Sequence, residues 1–198
     1  MNILIIGGFL GSGKTTLLRG ILKSMTASGQ TVAVIENEIG EVGIDDQLIS
    51  EGSVQVTPLF GGCVCCQISG NLLNAVLQIK REVAPDWLVI EATGLAFLTG
   101  IRSLFERYGD PELVTYGVCV IDISRWARLL RASPALMESQ IEGSDIVVVN
   151  KVDVKSPEDN ELEEIRSFAP ENVKVIFSSG RDKTDSSTWE EMKKALSL

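Results

Sequence analysis

The run Ile3-Leu4-Ile5-Ile6 passes directly into Gly7-Gly8-Phe9-Leu10-Gly11-Ser12-Gly13-Lys14-Thr15, and this junction limits the fold more than any other feature of the chain. An unbroken, β-branched apolar run with no alternation describes a short strand buried on both faces, as in a parallel sheet. The pattern G-x-x-x-x-G-K-T that follows is a turn whose glycines let backbone N–H groups converge, and it opens a helix whose positive end faces the same point. Such a turn cradles phosphate. Gly8, Gly11, Ser12, Gly13 and Thr16 belong to the cradle, Lys14 is placed for the β- and γ-phosphates, and the Thr15 hydroxyl is placed for Mg²⁺.

The rest of the chain repeats the same grammar. Residues 14–28 carry Leu17, Leu18, Ile21, Leu22 and Met25 on one helical stripe, closed by Gly29. Strands are expected at 31–35, 53–57, 87–90, 114–121, 145–149 and 173–177. Helices are expected at 68–83, within 96–108, in pieces within 124–142, and at 158–168 and 187–197. The acidic, glycine-containing stretch 36–52 reads as a long loop, or a loop with a short helix. Strands alternating with helices predict an α/β fold: a mostly parallel sheet flanked by helices on both faces, a three-layer P-loop NTPase. With 198 residues and no repeat or low-complexity tract, one domain spanning 1–198 is expected.

Ligands of such sheets bind beyond the carboxyl ends of the strands, and two further motifs fall there. Leu88-Val89-Ile90-Glu91-Ala92-Thr93-Gly94 ends a strand in an acid, so Glu91 is expected to hold Mg²⁺ directly or through water, and the Gly94 N–H to reach the γ-phosphate. Ile146-Val147-Val148-Val149 runs into Asn150-Lys151-Val152-Asp153. A carboxylate at Asp153 is a double acceptor for the two adjacent N–H groups on guanine's edge, where adenine presents an acceptor. Lys151 can lay its stem over the base and Asn150 can tie the loop down. Ser178 and Ser179, followed by Gly180, are placed for the last wall of the base pocket. GTP or GDP with Mg²⁺ is the expected ligand.

Charge and cysteine content narrow the partners. Twenty-seven acids against 18 bases give a net charge of −9, and no Lys/Arg run suggests a basic patch, so neither nucleic acid nor an anionic membrane is the expected partner. The N-terminal apolar stretch is too short to span a membrane and lacks the basic start of a signal peptide, so a cytoplasmic setting is expected. Of the four cysteines, Cys63, Cys65 and Cys66 cluster in Gly61-Gly62-Cys63-Val64-Cys65-Cys66. A glycine-led loop can converge three thiolates on one ion, and their softness favours Zn²⁺, with Co²⁺, Ni²⁺ or Cu⁺ also accommodated. The chain has no histidine, so a fourth ligand comes from Glu36, Glu41, Cys119, water or a second subunit. Cys119, inside Val118-Cys119-Val120-Ile121, reads better as a buried apolar residue.

In this order, Gly7–Thr16, Glu36-Asn37-Glu38-Ile39-Gly40-Glu41-Val42-Gly43-Ile44-Asp45, Gly62–Cys66, Glu91–Gly94 and Asn150–Asp153 resemble the CobW/HypB/UreG family of metal-linked P-loop GTPases (SIMIBI class), most closely its CobW-type branch. The resemblance covers essentially the whole chain. It implies a GTPase domain that often dimerises and couples GTP binding and hydrolysis to delivery of Zn²⁺, Ni²⁺ or cobalt to a metalloenzyme client. It also implies that 36–45 is a switch segment, with Asp45 facing the magnesium water shell or the attacking water, and Glu36 and Glu41 lending carboxylates to the transition metal. The competing implication is a GTP-dependent regulator or reactivator of a corrinoid (cobalamin) enzyme that binds no free ion. Proteins of this branch usually carry a second, C-terminal domain and often histidine-rich segments. The resemblance here is to the GTPase domain and no histidine is present, so a short form acting with a separate partner is expected. No glutamine or arginine stands out as a water-positioning group or internal cation, so turnover on the order of minutes per cycle is expected.

Overall fold

The computed structural model describes residues 1–36, 54–58, 68–94, 96–179 and 186–198. Among these residues seven strands form one sheet, β1 (Asn2–Gly7), β2 (Val32–Glu36), β3 (Val54–Pro58), β4 (Trp87–Glu91), β5 (Val114–Asp122), β6 (Ile146–Asn150) and β7 (Lys174–Ser178), in the order β3-β2-β4-β1-β5-β6-β7. Every pairing is parallel, with Ile6 opposite both Glu91 and Val118, and Asp122 opposite Asn150. The chain therefore returns from each strand through a crossover, which is why helices separate nearly all of the strands.

Alternation along the strands sorts the core into two layers. Ile3, Ile5, Leu88, Ile90, Cys119, Ile121, Val147 and Val149 face one way; Leu4, Ile6, Val89, Val118, Val120, Ile146 and Val148 face the other. On the first face pack α2 (Ile68–Glu82), α3 (Leu98–Tyr108), α4 (Trp126–Ala132), α5 (Pro134–Ile141) and α6 (Asp159–Phe168). On the second lie α1 (Lys14–Ala27), through Leu17, Leu18, Ile21, Leu22 and Met25, and α7 (Ser186–Leu196), through Trp189 and Met192. Trp189 meets Trp87 edge-on with ring centroids 5.4 Å apart, fixing the last helix to a central strand. Burial of side chains of this size contributes roughly 1.5–3 kcal/mol each, and that shared burial holds both layers against the sheet. The expected α/β sandwich is the observed one.

The expected helical pieces within 124–142 resolve into a 3₁₀ turn (Ile123–Arg125), α4 and α5, because Pro134 cannot continue a helix but suits the first turn of the next. Among the described residues no helix is long and apolar enough to cross a membrane.

Candidate functional site

At the carboxyl edge of the sheet, β1 runs out into the glycine loop and α1 begins at Lys14. Gly13 caps α1 in the left-handed conformation with no side-chain cap, and the first turn of the helix contains no acid. A helix end left this way presents its positive pole to an anion. Lys14, 4% exposed, folds back over the loop and donates from Nζ to the Gly8 carbonyl (3.1 Å) and the Phe9 carbonyl (3.2 Å). Ser12 is fully buried, and its Oγ has no hydrogen-bond partner among the described residues. A buried hydroxyl without a partner costs roughly 1–3 kcal/mol, and a phosphate oxygen in the cradle would remove that cost.

The acid at the end of β4 reaches the same place. Thr15 Oγ1 donates to Glu91 Oε1 at 2.8 Å across 76 positions of sequence. A hydroxyl and a carboxylate in contact supply two hard oxygen donors of the kind Mg²⁺ takes. Gly94 follows in the turn and presses on the phosphate loop: a Cβ there would fall 2.7 Å from the Leu10 nitrogen, so only glycine fits. Gln140, on α5 and 2% exposed, donates from Nε2 to the Gly94 and Ala96 carbonyls at 3.4 and 3.3 Å. Its Oε1, like Oγ1 of Thr93 beside Gly94, is buried with no partner among the described residues.

The base motif is tied to the phosphate loop rather than merely adjacent to it. Asn150 Nδ2 donates to the Ser12 carbonyl at 2.8 Å, and Lys151 Nζ to the Gly11 carbonyl at 2.9 Å. Lys151 takes a left-handed backbone, φ 64°, which turns the chain sharply so that Asp153 stands exposed at the rim. The Val152 N–H donates to the Ser178 carbonyl at 3.3 Å, so β7 and its following Ser179 border this loop.

Other sequence expectations fall elsewhere. Glu36 holds the register position beside Glu91 on the adjoining strand. Glu41, Asp45, Cys63, Cys65, Cys66 and Gly180 lie outside the described residues. Among the described residues no cluster of three Cys, Asp or Glu is arranged to hold a metal. Cys119 is 1% exposed in the first core layer, and burial pushes its thiol up to about 12, in keeping with the buried apolar role read from the sequence.

Sequence reading missed one acid. Asp122 ends β5 just as Glu91 ends β4, and its carboxylate is almost wholly buried. Its Oδ1 accepts from the Ser124 N–H (3.0 Å) and hydroxyl (2.6 Å), and its Oδ2 accepts from Arg125 Nε and Lys151 Nζ (2.7 Å each). Burial pushes its pKa up, but the hydrogen bonds from Lys151, Ser124 and Arg125 and the charge of Lys151 outweigh that and hold it below the ordinary carboxylate value. The available signal was its place: a charged residue closing a buried strand at the ligand edge of the sheet.

Known proteins place this geometry. Residues 2–176 match the family described as CobW/HypB/UreG, nucleotide-binding domain. The zinc chaperone YjiA of Escherichia coli (strain K12) is 48% identical over 160 residues, covering 77% of this chain and 49% of its own length. The zinc-regulated GTPase metalloprotein activator 1 of Dictyostelium discoideum is 30% identical over 197 residues, covering 80% of this chain and 41% of its own. The chain thus spans about half the length of the curated relatives it matches. Among solved structures, HypB from Helicobacter pylori in complex with nickel superposes with a TM-score of 0.68 at 18% identity, over 98% of this chain and 87% of that one, a likeness of fold. Zn(II)-bound YjiA GTPase from E. coli gives 0.65 at 26% identity, over 89% of this chain and 57% of that one. With its phosphate loop, strand-end acid and base motif gathered at one sheet edge and matched along most of its length, the chain belongs to the CobW/HypB/UreG family.

Proposed function

We propose that this chain binds GTP with Mg²⁺, hydrolyses it slowly, and uses the change of nucleotide to hold and hand over a soft transition metal. The observation that carries the nucleotide half is the junction of the two motifs, Asn150 to the Ser12 carbonyl and Lys151 to the Gly11 carbonyl, which makes base and phosphate recognition one unit. Lys14, released from the Gly8 and Phe9 carbonyls, would take the β- and γ-phosphates; Ser12 Oγ would gain the partner it lacks; Asp153 would read guanine. Thr15 and Glu91 would hold Mg²⁺, which when bound offsets charge on the phosphates. Gly94, packed on Leu10, is placed to feel the γ-phosphate and pass its presence to the turn after β4. Ser178 and Ser179 would close the base pocket. Asp45 would stand beside the magnesium water shell.

Support for the metal half comes from the cysteine loop and from relatives named zinc chaperones. Cys63, Cys65 and Cys66, with Glu36 or Glu41, would take Zn²⁺, or Co²⁺ or Ni²⁺, in one nucleotide state and release it in the other to a metalloenzyme client. A homodimer formed with GTP or metal would complete the ligand set, and a reducing cytoplasm would keep the thiols available. By thermodynamic linkage, a nucleotide that strengthens metal binding is itself bound more tightly by the metal-loaded protein.

The test is an anaerobic Co²⁺ titration of reduced protein with GTP·Mg²⁺, GDP·Mg²⁺ or no nucleotide. The expected result is a thiolate-to-cobalt absorption band whose midpoint shifts with nucleotide and which Cys65→Ser abolishes. No band in any state would remove the metal carrier and leave a GTP-dependent regulator of another enzyme. For the magnesium site, Thr15→Val is expected to lower GTP affinity at least about tenfold in Mg²⁺ while leaving affinity in EDTA near wild type. Fluorescent-nucleotide titration in the two buffers checks this, and an equal loss in both would show that Thr15 acts through the loop instead.

A further inference from the structure

We propose that Asp122 and Arg125 form a clamp on the outer rim of the phosphate loop, and that this clamp governs how long nucleotide is retained. The proposal rests on the nucleotide reading above and assigns it two positioning residues that no sequence motif marks.

A carboxylate this deeply buried is costly unless fully paired. The neighbouring Ser124 satisfies only Oδ1; Oδ2 recruits two cations from different parts of the chain, Arg125 from the turn after β5 and Lys151 from the base motif. Each cation then continues to the phosphate loop. Arg125 Nη2 donates to the Leu10 carbonyl at 2.8 Å, and Lys151 Nζ to the Gly11 carbonyl at 2.9 Å. One buried acid thus holds two successive loop carbonyls through two cations.

Planar peptides turn that grip into a statement about the opposite side of the loop. In a trans peptide the C=O and the following N–H point in opposite directions. Holding the Leu10 and Gly11 carbonyls on the outer rim therefore turns the N–H groups of Gly11 and Ser12 to the inner side. The Ser12 N–H is held within the loop, donating to the Phe9 carbonyl at 3.1 Å, the same carbonyl that Lys14 Nζ engages at 3.2 Å, so the two cations and this turn together fix the loop's shape. A loop whose donors are oriented in advance binds phosphate without the entropy of arranging them, and it releases phosphate slowly.

Arg125 suits the task because its guanidinium is a rigid fork, with Nε on Asp122 and Nη2 on Leu10. A lysine at this position would have to serve Asp122 and Leu10 from a single nitrogen, where Arg125 uses two nitrogens held apart by the rigid fork. The fork also lies beside Gly11, where a Cβ would meet Nη2 at 3.4 Å, so the guanidinium packs flat against the loop. Arg125 is about one third exposed, so replacing it does not empty the core.

The experiment measures dissociation of fluorescent GDP and single-turnover hydrolysis of bound GTP in wild type, Arg125→Lys, Arg125→Gln and Asp122→Asn. Both Arg125 variants are expected to release GDP about tenfold faster or more, with the loss falling on dissociation rather than on the single-turnover rate. Combining Asp122→Asn with Arg125→Gln should give little more than the larger single effect, since the two act as one device. Wild-type dissociation in both Arg125 variants would overturn the clamp, and so would rescue by lysine, which would show that bare positive charge suffices. A hundredfold loss of single-turnover rate at unchanged dissociation would also overturn it, by making Arg125 a catalytic residue acting on the phosphate. A wild-type chain that holds no guanine nucleotide would sink the GTPase reading itself; binding by wild type with unaltered variants would sink the clamp alone.

Discussion

Asp153→Asn is expected to lower affinity for GTP and GDP by roughly a hundredfold or more and to raise affinity for xanthosine nucleotides above both. Guanine offers two adjacent donors, the ring N–H and the exocyclic amine, and a carboxylate meets both as a double acceptor. An asparagine at the same place presents one acceptor and one donor, so it meets a guanine donor with a donor. Xanthine has a carbonyl where guanine has the amine, and the amide then finds a partner for each of its groups. The substitution keeps the side chain's size and shape, and other residues also anchor the loop. Asn150 is anchored on Ser12, Lys151 on Gly11 and Asp122, and the Val152 N–H on Ser178, while Asp153 itself is exposed. Competition of GTP, XTP and ATP against fluorescent GDP reads the outcome. Undiminished GTP affinity would mean that the base is read elsewhere, and strong ATP binding by wild type would point to a different use of the phosphate loop, such as that of a kinase.

The contrast between what sequence revealed and what it hid has a physical basis. Strands β1, β4 and β6 are buried on both faces, so their apolar runs have sharp ends, and the expected boundaries lie within about one residue of those observed. Motifs made of consecutive residues were equally plain, since Gly8 to Thr15 and Asn150 to Asp153 carry their chemistry locally. The Asp122 carboxylate was not legible, because its meaning depends on sheet order. It meets the phosphate loop only because β5 lies between β1 and β6, and periodicity says nothing about which strands become neighbours. Arg125 reaches Leu10 across 115 positions for the same reason, a contact that no run of neighbouring residues announces. Gln140 was hidden differently. It occupies the buried face of α5 beside Met137 and Ile141, where pattern predicts an apolar side chain, and its reason for being polar is the Gly94 carbonyl on another element. The thiol loop and the 36–45 acids remain arguments from residue chemistry, lying beyond the described residues except for the backbone of Glu36.

Gly13→Ala should cost both guanine nucleotides together, by about a hundredfold or more, where Asp153→Asn discriminates among bases. Gly13 carries φ +103°, a region an L-residue enters at a cost of roughly 1–2 kcal/mol. Space is the larger difficulty: a Cβ would stand 2.2 Å from Asn150 Nδ2, a contact no pair of heavy atoms tolerates. Asn150 cannot swing aside cheaply, since it is 3% exposed and its amide is committed to the Ser12 carbonyl. The methyl therefore either breaks the Asn150–Ser12 bond or pushes β6 and its base loop away from the phosphate loop. Either response disorders the cradle and the base pocket at once, because this contact is where they are joined. The strain and the lost buried hydrogen bond together should destabilise the nucleotide-free protein by roughly 2–4 kcal/mol. Calorimetric titration with GTP, GDP and XTP, alongside thermal unfolding without ligand, separates the two consequences. Uniform loss of affinity across bases with a lowered melting temperature is the expected pair. A variant that kept GTP affinity within about threefold of wild type would show that the two motifs recognise their halves of the nucleotide independently, and the coupling attributed to Asn150 would fall with it.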